Sequence, residues 1–227
     1  MKDSGTDVNG SFERLSVYLE LLEEHYGKPV TKDPLDPLDE LILTILSQNT
    51  NDLNRDRAYS ELRRRYPTNE ELADADVSDI EDAIRVGGLA RSKSANIHGI
   101  LNDLRDNKGS ISLDYIRDMD DDEVMRELTG MRGVGTKTAA CVLIFSLHRP
   151  VFPVDTHIHR IAKRWDLVPW KTDRNTAQEI LNVIFPDDWK YHGHLLIIEH
   201  GRRTCKARSP HCGICPLGSD CPRIGVQ

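Results

Sequence analysis

Residues 131–143 read MRGVGTKTAACVL. Just before them EVMRELTGM has the spacing of one helix, and TKTAACVLIFSL (136–147) has that of a second. RGVG is therefore a tight turn in an αα-hairpin, with glycines that permit backbone conformations other residues resist. At such a turn the first amides of the second helix have no intrahelical partner, and with the helix dipole they form an anion site that a nucleic-acid phosphate fits. GVG taken alone is better described as an ordinary helical hairpin with a glycine turn. Lys137 falls in the first turn of the second helix, where the positive end of the dipole and partial desolvation both disfavour an ammonium. A neutral amine there would be a nucleophile.

Outward from the hairpin the pattern stays helical. SFERLSVYLELLEEHYG (11–27) spaces Phe12, Leu15, Tyr18, Leu19, Leu22 and Tyr26 as one helical face and stops at Gly27. LILTIL predicts an apolar helix, SQNTND a polar break, and the stretch to Tyr66 a second helix before Pro67. Shorter helices are expected at 70–75, 78–85 and 92–106, then at 156–165, 174–184 and 188–200. Ser78 and the run Asp120, Asp121, Asp122, Glu123 mark helix starts. No convincing strand alternation and no fixed-period repeat is present, so the expected fold class is all-α.

The chain has 227 residues, 38% hydrophobic and 30% charged, enough for a real core in one large or two modest domains. Its net charge of −7 is unevenly spread: residues 1–129 hold 16 Lys+Arg against 29 Asp+Glu, and residues 130–227 hold 14 against 8. A basic half beside an acidic half is a footprint for binding a polyanion, because local potential governs encounter. No apolar run is long enough to span a bilayer and the start is polar, so neither export nor membrane insertion is expected.

Two further features carry chemistry. Cys205, Cys212, Cys215 and Cys221 are spaced C-x6-C-x2-C-x5-C with Pro210, Gly213, Pro216 and Gly218 between them. The spacing suits a metal centre, iron–sulfur or zinc, in a reducing compartment. Cys141 reads as a small buried thiol. VFPVDTHIHR places Asp155 at the head of a helix, where an N-cap is the ordinary role. Bonds from helix amides would also hold that carboxylate ionised and aimed. A lysine nucleophile with an ionised aspartate could attack a sugar's anomeric carbon and stabilise the positive charge that develops as a base departs. The paired histidines 157/159 and 192/194 alternate onto different helix faces, which is poor geometry for one metal, and the arginine run 63–65 reads as a solvated face.

LSQNTND (46–52), VGGLARSKSANI (86–97), MRGVGTKTA (131–139), VDTHIHR (154–160) and the four cysteines, in this order and spacing, resemble the endonuclease III branch of the helix-hairpin-helix DNA glycosylase superfamily. The resemblance covers roughly residues 12–223. It implies two helical lobes flanking a DNA-binding cleft: a helical barrel with the hairpin at 31–142, and an iron–sulfur lobe made of 1–30 plus 143–227, with its cluster loop at 205–221. Lys137 matches the Schiff-base lysine and Asp155 the aspartate that assists base loss. Gly133, Val134 and Gly135 match the phosphate-gripping hairpin, with a monovalent cation held by carbonyls nearby. Arg132 stands where proline is usual and adds charge there. Gln48 or Asn49, with Leu89, would fill the gap left by the extruded nucleotide, and His157 would touch a phosphate. The cysteines match the [4Fe-4S] loop. Arg132, Lys163, Arg164, Arg202, Arg203, Lys206 and Arg208 would form a basic strip.

What the resemblance implies is a monomeric, intracellular, cytoplasmic or nucleoid-associated base-excision enzyme. Its partner is double-stranded DNA carrying damaged bases or abasic sites, and it acts as a glycosylase on damaged, oxidised pyrimidines and as an abasic-site lyase. A monofunctional thymine or uracil mismatch glycosylase and a non-catalytic iron–sulfur DNA-binding module are the rival expectations.

Overall fold

The computed structural model describes residues 8–226, with side chains from Phe12 onward. Its helices are α1 (Val8–Tyr26), α2 (Pro37–Leu46), α3 (Asp52–Arg65), α4 (Asn69–Asp74), α5 (Val77–Ala83), α6 (Ala90–Lys108), α7 (Asp121–Thr129), α8 (Thr136–Cys141), α9 (Thr156–Arg164), α10 (Arg174–Ile184) and α11 (Asp187–Arg203). Short 3-10 turns and one π-helical segment connect them, and no strand occurs among the described residues. The chain divides into two units, one formed by Pro34–Arg149 and the other by the N-terminal segment through Asp33 with the segment from Pro150 onward.

In the Pro34–Arg149 unit, α2 is the central element. Leu38, Leu41, Ile42, Ile45 and Leu46 on it are all at most 2% exposed, so a helix apolar on nearly every side has neighbours on nearly every side. Burial of each such side chain contributes roughly 1.5–3 kcal/mol. Pro37 occupies the first helical position and Asp36 caps it, its Oδ1 accepting from the Leu38 amide at 2.9 Å. Reciprocal caps start α4 (Thr68 with Glu71) and α7 (Asp120 with Glu123). The expected helix start at Ser78 lies two residues further along than the real one, since α5 is entered from Asp76. Arg63, expected in a solvated run, instead bridges Asp39 and Asn69 with a side chain that is 17% exposed.

The second helix of the hairpin does not run through as one α-helix: after Cys141 it continues as a π-helical segment, Val142–Ser146. Arg149 then returns to this unit, donating to the carbonyls of Met119 at 2.6 Å and Arg117 at 2.8 Å. The unit boundary therefore falls after Arg149 rather than at the expected residue 142.

In the other unit, α1 lays Leu15, Tyr18, Leu19 and Leu22 against α9, α10 and α11, around Trp165, Ile158, Leu181 and Ile197. Phe12 is the exception to the predicted face, at 44% exposed. Leu217, from the cysteine loop, is buried in the same core. Gly193 lets α11 approach closely, for a β-carbon there would stand 3.0 Å from the Phe185 ring.

Candidate functional site

The hairpin turn follows from its residues one at a time. Gly133 sits at φ +74°, and a β-carbon on it would collide with the Asn96 side chain of α6, so glycine is required there twice over. Val134 is buried at 7% exposed and its amide donates to the Met131 carbonyl at 3.2 Å. Gly135 differs from expectation: at φ −99° and ψ 175° it is extended backbone, and a β-carbon on it would meet nothing within 4 Å. The fold does not demand a glycine at 135. Gly135 is the N-cap of α8 and, as a glycine, has no side chain with which to cap that helix. Lys137 is the second residue of α8 and half-buried, while Thr138, Ala139, Ala140 and Cys141 face the core. Arg132 is exposed and lies along Gly99 of α6, whose β-carbon position is 3.6 Å from Arg132 Cδ.

Two further turns of the same unit carry predicted site residues. Gln48 Nε2 donates to the Gly133 carbonyl at 3.3 Å, so its side chain ties the turn after α2 to the hairpin. Asn49 next to it is exposed at φ +51°. Leu89 stands at φ +50° and 54% exposed, at the entrance to α6. Left-handed backbone in an exposed leucine is strained without any gain in burial, a feature that concentrates at binding sites.

In the other unit Asp155 is the N-cap of α9, and its Oδ1 accepts from the Ile158 amide at 2.8 Å. Capping accounts for one carboxylate oxygen and fixes the direction of the group. His157 packs on Gly201 of α11 and accepts from Arg160 Nη2 at 3.1 Å. Arg160 and Arg164, one turn apart, were not singled out together by sequence, yet they tie α9 to the cysteine loop. Arg160 donates to the Cys205 carbonyl at 2.9 Å and the Gly201 carbonyl at 3.0 Å. Arg164 donates to the Lys206 carbonyl at 2.7 Å and to Cys205 Sγ at 3.2 Å. At 6% exposed, Arg164 leaves the expected basic strip and becomes an internal strut. The i, i+4 spacing of two arginines was the available signal.

Cys205, Cys212, Cys215 and Cys221 are unbridged and half-buried, and all four line one cavity with Arg164, Trp165, His200 and Thr204. Burial pushes the Cys215 and Cys221 thiols up from their usual range. His200 is 1% exposed, with its Nδ1 3.0 Å from Tyr26 Oη and its Nε2 4.0 Å from Cys215 Sγ. Desolvation, aided by His25 and Arg160, pulls its pKa down to about 4. Four soft sulfur donors around one cavity, with a buried guanidinium beside them to balance negative charge, fit an iron–sulfur cluster. Of the other histidines, His159 Nε2 is 2.8 Å from the Thr172 carbonyl and His194 Nδ1 3.1 Å from that of Pro153.

Residues 42–186 match the family model for HhH-GPD superfamily base excision DNA repair proteins, and residues 205–221 match the iron–sulfur binding domain of endonuclease III. A candidate DNA glycosylase of Arabidopsis thaliana is 40% identical over 192 residues, covering 83% of this chain and 65% of that protein, so the chain spans just under two thirds of its length. Endonuclease III of Thermotoga maritima is 36% identical over 186 residues, 82% of this chain and 83% of that one. A non-covalent endonuclease III–DNA complex superposes with a TM-score of 0.81 at 28% identity over 93% of this chain and 95% of that one. A trapped covalent endonuclease III–DNA intermediate superposes at 0.78 and 28%, over 91% and 93%.

Proposed function

Since the chain belongs to the HhH-GPD superfamily of base excision DNA repair proteins, we propose that it is an intracellular DNA glycosylase and abasic-site lyase. Its substrate is duplex DNA carrying damaged, oxidised pyrimidines. The observation that carries this reading is the placement of Lys137, half-buried in the first turn of α8 and two residues past the glycine N-cap that ends the hairpin turn. A backbone phosphate held at that turn brings the neighbouring sugar within reach of the lysine amine.

The chemistry follows from those groups. The damaged nucleotide leaves the stack, and Asn49 and Leu89 occupy the space it vacates. The deprotonated Lys137 amine attacks C1′ as the glycosidic bond breaks; the base departs with the bonding electrons and takes up a proton. Asp155, its carboxylate aimed by its cap on α9, stabilises the positive charge that develops at the sugar. Loss of a proton from nitrogen and opening of the ring leave an imine between Lys137 and C1′. That imine acidifies the C2′ hydrogen, so its removal expels the 3′ phosphate by β-elimination. Cys205, Cys212, Cys215 and Cys221 would hold a [4Fe-4S] cluster, which when bound would brace the basic loop that carries them.

Borohydride reduction during turnover tests the assignment. The native chain is expected to give a covalent adduct with an abasic duplex, and Lys137→Ala to give none. A Lys137→Ala chain that still traps and nicks would overturn the lysine's role, and a native chain that releases base without nicking would make it a monofunctional glycosylase.

A further inference from the structure

Lys93 is among the most deeply buried polar residues described, at 1% exposed, and its position in the polar run RSKS gave no sign of it. Its amine donates to two carbonyls that belong to different turns, Leu46 at 2.8 Å and Gly87 at 2.9 Å. Leu46 is the last residue of α2, and Gly87 is the last residue of the 3-10 turn Arg85–Gly87. Both are end carbonyls that lack a continuing helical partner, and a cation suits the negative end of a helix. Burial pushes the Lys93 pKa down, the cost of keeping an amine where an apolar side chain would fill the space more cheaply.

The two carbonyls lie immediately ahead of Asn49 and Leu89, two of the three exposed, left-handed non-glycine residues described in this unit, His148 being the third. Asn49 follows Leu46 by three residues and Leu89 follows Gly87 by two. Gly87 is also pressed onto α3, where a β-carbon on it would stand 3.2 Å from Ala58 Cβ. A buried donor thus joins the bases of two strained, outward-facing turns and touches neither tip.

We propose that Lys93 is a positioning residue for entry into the DNA stack: its amine fixes the separation of the Asn49 and Leu89 turns, so that the two side chains insert as one rigid fork. This rests on the glycosylase and lyase function proposed above. Lys93 touches no substrate and acts through those two residues.

Lys93→Met keeps the length of the side chain and removes the donors. Two substrates separate positioning from chemistry: an abasic duplex with 2-aminopurine opposite the site, and the same abasic strand alone, in which no gap is filled. Expected for Lys93→Met are duplex nicking slowed roughly tenfold or more, loss of the 2-aminopurine rise that reports unstacking, and single-strand trapping within about twofold of native. In an Asn49→Ala, Leu89→Ala background, Lys93→Met is expected to add less than about a twofold further loss, since both act through one fork. Equal losses on both substrates, or losses that multiply in the combined variant, would overturn the proposal. Should Lys93→Met fail to fold, Lys93→Arg, which keeps a buried donor but moves its hydrogens, carries the same comparison. A native chain that traps neither substrate would refute the lyase function instead, and the fluorescence rise would then decide the role of Lys93.

Discussion

Arg164 Nη1 donates to Cys205 Sγ at 3.2 Å from a side chain that is almost wholly buried. The same guanidinium holds the Lys206 and Ala207 carbonyls, so one residue of α9 supports the start of the cysteine loop at three points. Charge-assisted bonds of this kind contribute about 1.5–3 kcal/mol each, and truncation leaves their acceptors buried. Arg164→Gln is expected to cost about 2–4 kcal/mol, or roughly 5–10 °C in Tm for a chain of this size. The cluster's visible absorbance should also bleach faster in air. A variant that melts and bleaches like the native chain would remove Arg164 from this role.

The two glycines of the hairpin should respond differently to alanine. Gly133→Ala forces a left-handed alanine and displaces Asn96, a loss of roughly 1–3 kcal/mol. Gly135→Ala has room and ordinary dihedrals, so stability should stay within about 0.5 kcal/mol of native. On the proposed function its DNA affinity should nevertheless fall, because the added methyl would stand in the path proposed for the phosphate. Denaturant melts and fluorescence-anisotropy titrations of both variants check the pair; Gly135→Ala with native affinity would argue against a phosphate there.

His200 makes stability pH-dependent with a definite sign. Its folded pKa of about 4 lies below the usual value near 6.5, so between these the unfolded chain binds the proton and the folded chain does not. Stability is full above pH 6.5 and is lost as pH falls toward 4. From pH 7 to pH 5 the loss from this one group is about 2 kcal/mol. Urea melts of the native chain and His200→Gln at both values measure it: the variant should show a shallower slope, and parallel slopes would rule His200 out as the source.

Charge on the cysteine loop should govern affinity without touching chemistry. Lys206 and Arg208 are exposed, whereas Arg203 pairs with Glu199 at 3.3 Å and lies over the Tyr26 ring. Lys206→Ala and Arg208→Ala should each lower the salt slope of DNA binding by about 1 and leave the single-turnover rate at saturating enzyme unchanged. Slopes equal to native would place DNA elsewhere on this unit.

Much of the candidate site could be read from local spacing. The hairpin, the Asp120–Glu123 cap, the Asp155 cap and the cysteine loop each depend on residues within a few positions of one another, and short-range patterns specify them. Lys93 could not be read that way, since its partner Leu46 is 47 positions distant and polar neighbours disguise its burial. Nor could the bond of Gln48, a candidate gap filler with Asn49, to the Gly133 carbonyl 85 positions on.

By itself the sequence determined the all-α class, the positions of the helices, the turn that precedes Lys137 and the donor set for the metal centre, because periodicity, caps and ligand spacing are properties of neighbouring residues. Tertiary structure alone decided which charges serve the fold and which face solvent. Arg164 and Lys93 turned inward because distant backbone carbonyls, left unpaired at helix and loop ends, required donors. The room beside Gly135, where a β-carbon would meet nothing within 4 Å, is likewise set by what the rest of the fold places around it.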